Sequence, residues 1–89
     1  MYKVTKHEHL RRRPGWMISL LLRFQPSLYG KQQTEHKAQV ILRYIRLAIN
    51  KTHIIQNKKR LQLESNLNEV IIKNNHGKVY LSFNIEKTK

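Results

Sequence analysis

The hydrophobic period of the chain changes once, and that change limits its fold more than any other feature. From Glu35 to about Asn50 the apolar residues recur at helical spacing. Ala38, Ile41, Leu42, Ile45, Ala48 and Ile49 form one stripe, with His36, Gln39, Arg43, Arg46 and Asn50 opposite. From Arg60 onward the period is two. Arg60-Leu61-Gln62-Leu63-Glu64 alternates, and so does Val79-Tyr80-Leu81-Ser82-Phe83-Asn84-Ile85. A helical stripe followed by alternating segments predicts an α+β domain.

The remaining elements fit around these. Thr34 is a candidate N-cap, and Glu35 suits the positive end of the helix dipole. An earlier apolar run, Trp16 to Phe24, places Met17, Leu20, Leu21 and Phe24 on one helical face. A helix is preferred there over a buried strand, with Pro14 near its start and Gln25-Pro26 at its end. Residues 27–33 are expected to be a loop. Glu69-Val70-Ile71-Ile72-Lys73 is β-branched, and Asn74-Asn75-His76-Gly77 is strong turn chemistry. Residues 69–85 are therefore predicted to be a β-hairpin, joined through Ser65-Asn66-Leu67-Asn68 by a strand at 60–64. A two-residue turn pairs Ile72 with Leu81, whereas a four-residue loop pairs Ile72 with Val79. A three-residue loop would turn one strand's apolar face away. Tyr80 is expected on the sheet face opposite Val79, Leu81 and Phe83.

The expected fold is thus two helices followed by a small antiparallel sheet with a C-terminal β-hairpin, a layout like that of a winged helix. Residues 1–13 form a basic arm or short extended piece, residues 14–86 the single α+β domain, and residues 87–89 a tail. At 89 residues the chain suffices for one domain. Its 39% apolar content lies below the globular norm, but the apolar residues are patterned, which favours folding over disorder.

Charge governs the choice of partner. Eighteen Lys and Arg face five acids, all of them Glu, for a net charge of +13. Such a field calls for an anionic partner. The basic residues fall into three groups. Arg11, Arg12 and Arg13 precede the first helix. Lys37, Arg43, Arg46 and Lys51 lie on or beside the polar side of the second. Lys58, Lys59 and Arg60 enter the sheet, with Lys73 and Lys78 near the hairpin tip. Guanidinium and ammonium groups near a groove suit backbone phosphates. Among the aromatics, Trp16, Phe24 and Phe83 sit in apolar patterns and belong to the core, which leaves Tyr80 as the candidate for stacking on a base.

Other chemistries find little support. Without cysteine there is no disulfide, thiolate site or thiol nucleophile, and the composition suits a reducing, cytoplasmic setting. His7-Glu8-His9 lacks the spacing of a zinc helix motif, so no metal or cofactor is expected. Five scattered Glu and no Asp argue against a metal-dependent nuclease, and only Gly15, Gly30 and Gly77 are available for phosphate-cradling loops. The run Trp16 to Phe24 is too short to span a bilayer and lacks the pattern of a signal peptide. Phe24-Gln25-Pro26-Ser27-Leu28, Lys31-Gln32-Gln33 and the following helix resemble a helical stretch of the LAGLIDADG homing endonucleases. The acidic helix that defines that family has no counterpart here, and the resemblance assigns no site residue.

The expected function is non-enzymatic binding of DNA or RNA through phosphate contacts. The alternative is a small inhibitor or adaptor docking on an acidic protein. Membrane-surface binding by residues 11–24 ranks third.

Overall fold

A four-stranded antiparallel sheet, with its strands side by side in the order Tyr2–Glu8, Val79–Lys87, Glu69–Asn74 and Leu61–Ser65, carries the helices of the domain. The computed structural model describes residues 1–57 and 60–88. Lys58 and Lys59 of the basic run and Lys89 of the tail lie outside the described residues. The strands are β1 (Tyr2–Glu8), β2 (Leu61–Ser65), β3 (Glu69–Asn74) and β4 (Val79–Lys87). Between β1 and β2 come α1 (Gly15–Leu21), a 3₁₀ turn (Pro26–Tyr29), α2 (Glu35–Lys51) and the single turn α3 (Ile54–Asn57).

The sheet therefore begins before the helices, not after them. Tyr2–Glu8 is an edge strand paired along its length with β4, from Tyr2 opposite Lys87 to Glu8 opposite Leu81. This enlarges the predicted sheet by one strand. Val4 is fully buried and sits opposite Ile85, which fixes the face that β1 turns inward. The free edge of β1 is partly closed by Gln32, whose backbone exchanges hydrogen bonds with Tyr2 at 2.8 and 2.5 Å.

The helices are built from local signals. The Thr34 hydroxyl accepts from the Lys37 backbone N–H at 3.2 Å and caps α2. Glu35 lies in the first turn and Lys51 in the last, both favourable to the dipole. Ala38, Leu42, Ile45 and Ile49 are buried along the predicted stripe. The helix stops at Thr52, and His53 adopts φ 58°, the left-handed conformation that ends many helices. That break separates α2 from α3. α1 is shorter than predicted. After Leu21 the chain tightens, with Arg23 and Phe24 N–H bonding the carbonyls three residues back. Met17, Leu20 and Phe24 are buried nonetheless, and Phe24 meets Phe83 edge-on at 5.9 Å.

The sheet's inner face carries Val4, Leu61, Val70, Ile72, Leu81 and Phe83, and α2 packs across β1, β4 and β3. In the hairpin, Val70 lies opposite Phe83 and Ile72 opposite Leu81, but Lys73 lies opposite Val79. The tip is a three-residue connection in which Asn74 N–H bonds the Lys78 carbonyl at 2.9 Å. Left alone, such a tip would expose one strand's apolar side. A bulge between these pairs places one extra residue, Tyr80, in β4 and restores the match. The Asn74 side-chain oxygen accepts from His76 and Lys78 N–H at 2.8 and 2.9 Å, and Gly77 takes φ +85°. Among the described residues no helix is long and apolar enough to cross a membrane.

Candidate functional site

Antiparallel pairing brings the end of β1, the end of β3 and the starts of β2 and β4 to one side of the sheet. Glu8 faces Leu81, Lys73 faces Val79 and Asn74 faces Leu61. Arg11 and Arg12 follow closely on His9, whose backbone N–H bonds the Tyr80 carbonyl at 3.1 Å. Arg60 immediately precedes β2, and Lys78 precedes β4. Basic segments far apart in sequence thus emerge at the hairpin end. Arg11, Arg12, Arg60 and Lys78 are all exposed there.

A polar cleft of about 450 Å³ opens at this end, lined by Arg60, Asn74, Asn75, His76 and Tyr80. Tyr80 is half-buried and forms a wall of it. Its hydroxyl accepts from the Asn74 amide at 3.4 Å, and its ring lies 6.4 Å from that of Trp16. It also packs against the core. Tyr80, expected as an aromatic free to stack on a base, is instead held by these contacts, beside the bulge that breaks the strict alternation of β4.

Arg13 is set apart from its two neighbours. Its guanidinium grips Glu8 in a two-pronged contact at 2.5 and 2.8 Å. The same hydrogen bonding holds the Glu8 carboxyl below its ordinary value of 4.5, against the opposing effect of burial. Lys6 approaches the carboxylate at 3.3 Å and lowers it further. Arg13 therefore closes the β1–α1 connection, while Arg11 and Arg12 form no ion pair among the described residues.

The second helix distributes its cations elsewhere. Lys37 is exposed in the first turn and Lys51 in the last. Arg43 and Arg46 line a separate cleft of about 440 Å³ between α2 and the β2–β3 turn, at the opposite end of β2 and β3 from the hairpin tip. Arg46 was expected on the solvent side but is half-buried on the flank, because the β2–β3 turn rises beside it. Gln39 also belongs to this flank and donates to the Asn68 side chain at 3.2 Å.

The outer face of α2 holds a feature that the polar residues of its sequence conceal. Val40, Tyr44 and Leu47 are 45%, 52% and 48% exposed and follow one another at helical spacing. Tyr44 and Leu47 share a groove with Arg23, Ala48 and Lys51. Tyr44 is therefore a more open aromatic than Tyr80. The signal was its place in the helical pattern, off the buried stripe.

The histidines do not converge. His7 contacts the Thr5 hydroxyl at 3.2 Å and His9 the Ser82 hydroxyl at 3.1 Å. Among the described residues no three His, Cys, Asp or Glu side chains gather where they could hold a metal ion. Among the described residues, the hairpin cleft is lined by one imidazole and by neither a carboxylate nor a second histidine. Compared with protein-family models, with curated proteins and with solved structures, the chain shows no match.

Proposed function

We propose that this chain is a non-enzymatic nucleic-acid-binding protein that contacts backbone phosphates with its hairpin end. The observation that carries this reading is the convergence of Arg11, Arg12, Arg60 and Lys78 at one end of the sheet, beside the cleft of His76 and Tyr80. Cations on the segments that flank the strand ends share one surface, and several such contacts along a phosphate chain set its register as well as attracting it. Lys58 and Lys59 adjoin Arg60 in sequence and add to the same charge. Five scattered Glu and no Asp favour a binding role over metal-dependent cleavage. The lack of cysteine supports a reducing, cytoplasmic setting.

The test is fluorescence anisotropy with random-sequence single- and double-stranded DNA and RNA at low salt. Replacing Arg60 and Lys78 together by Glu is expected to weaken binding to every sequence, since both are exposed. Unchanged affinity in that variant would remove the hairpin end from the interface.

A second reading, docking on an acidic protein, is favoured by the exposed Val40, Tyr44 and Leu47 beside Arg23 and Lys51. Heparin competition separates the two readings, because bulk polyanion displaces a phosphate-tracking surface more readily than an apolar one.

A further inference from the structure

Arg46 presents an unusual electrostatic situation. Its Nε is enclosed and has no hydrogen-bond partner among the described residues. Guanidinium nitrogens are obligate donors that stay charged at any ordinary pH, so an enclosed one without an acceptor is strongly unfavourable. Arg43 stands one turn before it on the same side of α2 and lines the same cleft. Neither arginine is paired with a carboxylate among the described residues. Glu69, at the start of the adjoining strand, is engaged by the Asn84 amide at 2.7 Å.

Across the cleft from the arginines lies the β2–β3 turn, with Ser65 and Asn66. The turn is braced from within. Asn66 N–H bonds the Glu69 carbonyl at 2.9 Å, and the Asn66 side-chain oxygen accepts from Asn68 N–H at 2.8 Å. The Ser65 hydroxyl carries no hydrogen bond to the described residues and is a free donor at the rim. Leu42 and Val70 line the cleft beneath and are buried. Two guanidinium groups, a hydroxyl and an apolar floor, with no acid in the lining, form a concave receptor for an oxyanion.

We infer that the cleft between α2 and the β2–β3 turn is a phosphate-binding pocket in which Arg46 and Arg43 hold the oxyanion and Ser65 donates from the rim. Arg46 supplies the partly dehydrated contact and Arg43 the solvent-facing one. The phosphate group is either free, a terminal monoester or a backbone diester. The pocket is separate from the hairpin end, and the inference stands whether or not that end binds nucleic acid.

The direct reporter is the Arg46 Nε–Hε signal in an arginine-labelled full-length chain, followed by NMR during titration with inorganic phosphate. Sodium chloride matched for ionic strength serves as the control. The signal is expected to shift and saturate with phosphate only. Arg43→Gln, at an exposed position that preserves the fold, is expected to weaken phosphate binding about tenfold, the effect of losing one charge-assisted contact. Ser65→Ala is expected to weaken it about threefold, as for a neutral hydrogen bond. A linear drift equal in phosphate and chloride, or full affinity in Arg43→Gln, would overturn the inference. A pair of oligonucleotides, with and without a 5′-phosphate, identifies the source. A terminal monoester predicts a shift with the phosphorylated strand alone, and a backbone diester predicts a shift with both. Phosphate saturation in a protein that binds no nucleic acid would keep the pocket and reject the function proposed for the hairpin end.

Discussion

Individual residues show where chemistry and packing part company. Ile45 is fully enclosed on α2, and truncation there leaves a cavity among side chains from the sheet and the helix. Ile45→Ala is expected to destabilise the fold by roughly 2–4 kcal/mol in chemical denaturation. A change within about 0.5 kcal/mol, the usual range for surface sites, would mean that the stripe does not form the core. Glu8 gives a pH-dependent prediction. Its carboxyl, held down chiefly by Arg13, ionises at lower pH in the folded chain than its ordinary 4.5. Its stabilising effect is complete above 4.5 and disappears as the pH falls through the folded value, because the unfolded chain takes up the proton first. Glu8→Gln is therefore expected to flatten the acid side of the stability profile while changing little of its shape above neutrality. An acid limb identical to that of the wild type would exclude the clasp as its cause. The buried stripe was legible residue by residue, because a period of 3.6 places those side chains on one line. Arg46 was not, because its enclosure comes from a turn distant in sequence. For the same reason its replacement by Glu is a poor probe of surface charge.

At the scale of elements, the hairpin shows how sequence preference and tertiary constraint settle a register. The Asn74–Gly77 chemistry predicted a turn, and β3 and β4 form around it. The pairing of Ile72 with Leu81 agrees with the two-residue-turn register, yet the tip is a three-residue connection corrected by a bulge. Burial of Leu81 and Phe83 outweighs the regularity of the ladder. The glycine at the tip is open to a clean test. Gly77 has φ +85°, and a Cβ added there meets nothing within 4 Å. Gly77→Ala should therefore cost about 1–2 kcal/mol through the backbone alone. Gly77→Asn should cost less, since Asn tolerates that conformation. Equal losses for the two would indicate a side-chain clash rather than backbone strain. Tyr2–Glu8 was legible only as an arm or a short extended piece, and its place in the sheet was not, because it has one buried anchor, Val4, amid polar residues. An edge strand of that composition is specified by its partner, not by its own alternation. α3 escaped the sequence reading because the break before it is His53 rather than glycine.

For the molecule as a whole, the helices cover one face of the sheet, and a net charge of +13 is distributed over several surfaces. The predicted α+β class and the C-terminal hairpin were legible because they follow from local periodicity. The grouping of Arg11, Arg12, Arg60 and Lys78 was not, since it depends on the strand order that places β1 beside β4. The non-enzymatic reading leads to a further expectation. Purified protein should cleave neither DNA nor RNA, with or without Mg²⁺. Turnover abolished by His76→Ala would make the chain a nuclease. The central claim concerns phosphate contacts, and counterion release measures them directly. About five such contacts on duplex DNA imply a slope near −4.5 for log affinity against log salt, at roughly −0.9 per phosphate. The decisive measurement is that slope for wild-type protein and for the Arg60→Glu, Lys78→Glu double variant. The account predicts a steep slope that becomes shallower by about 2 in the variant, with affinity lowered alike for all sequences. No binding to any DNA or RNA at low salt, or a slope unchanged by the two substitutions, would contradict it.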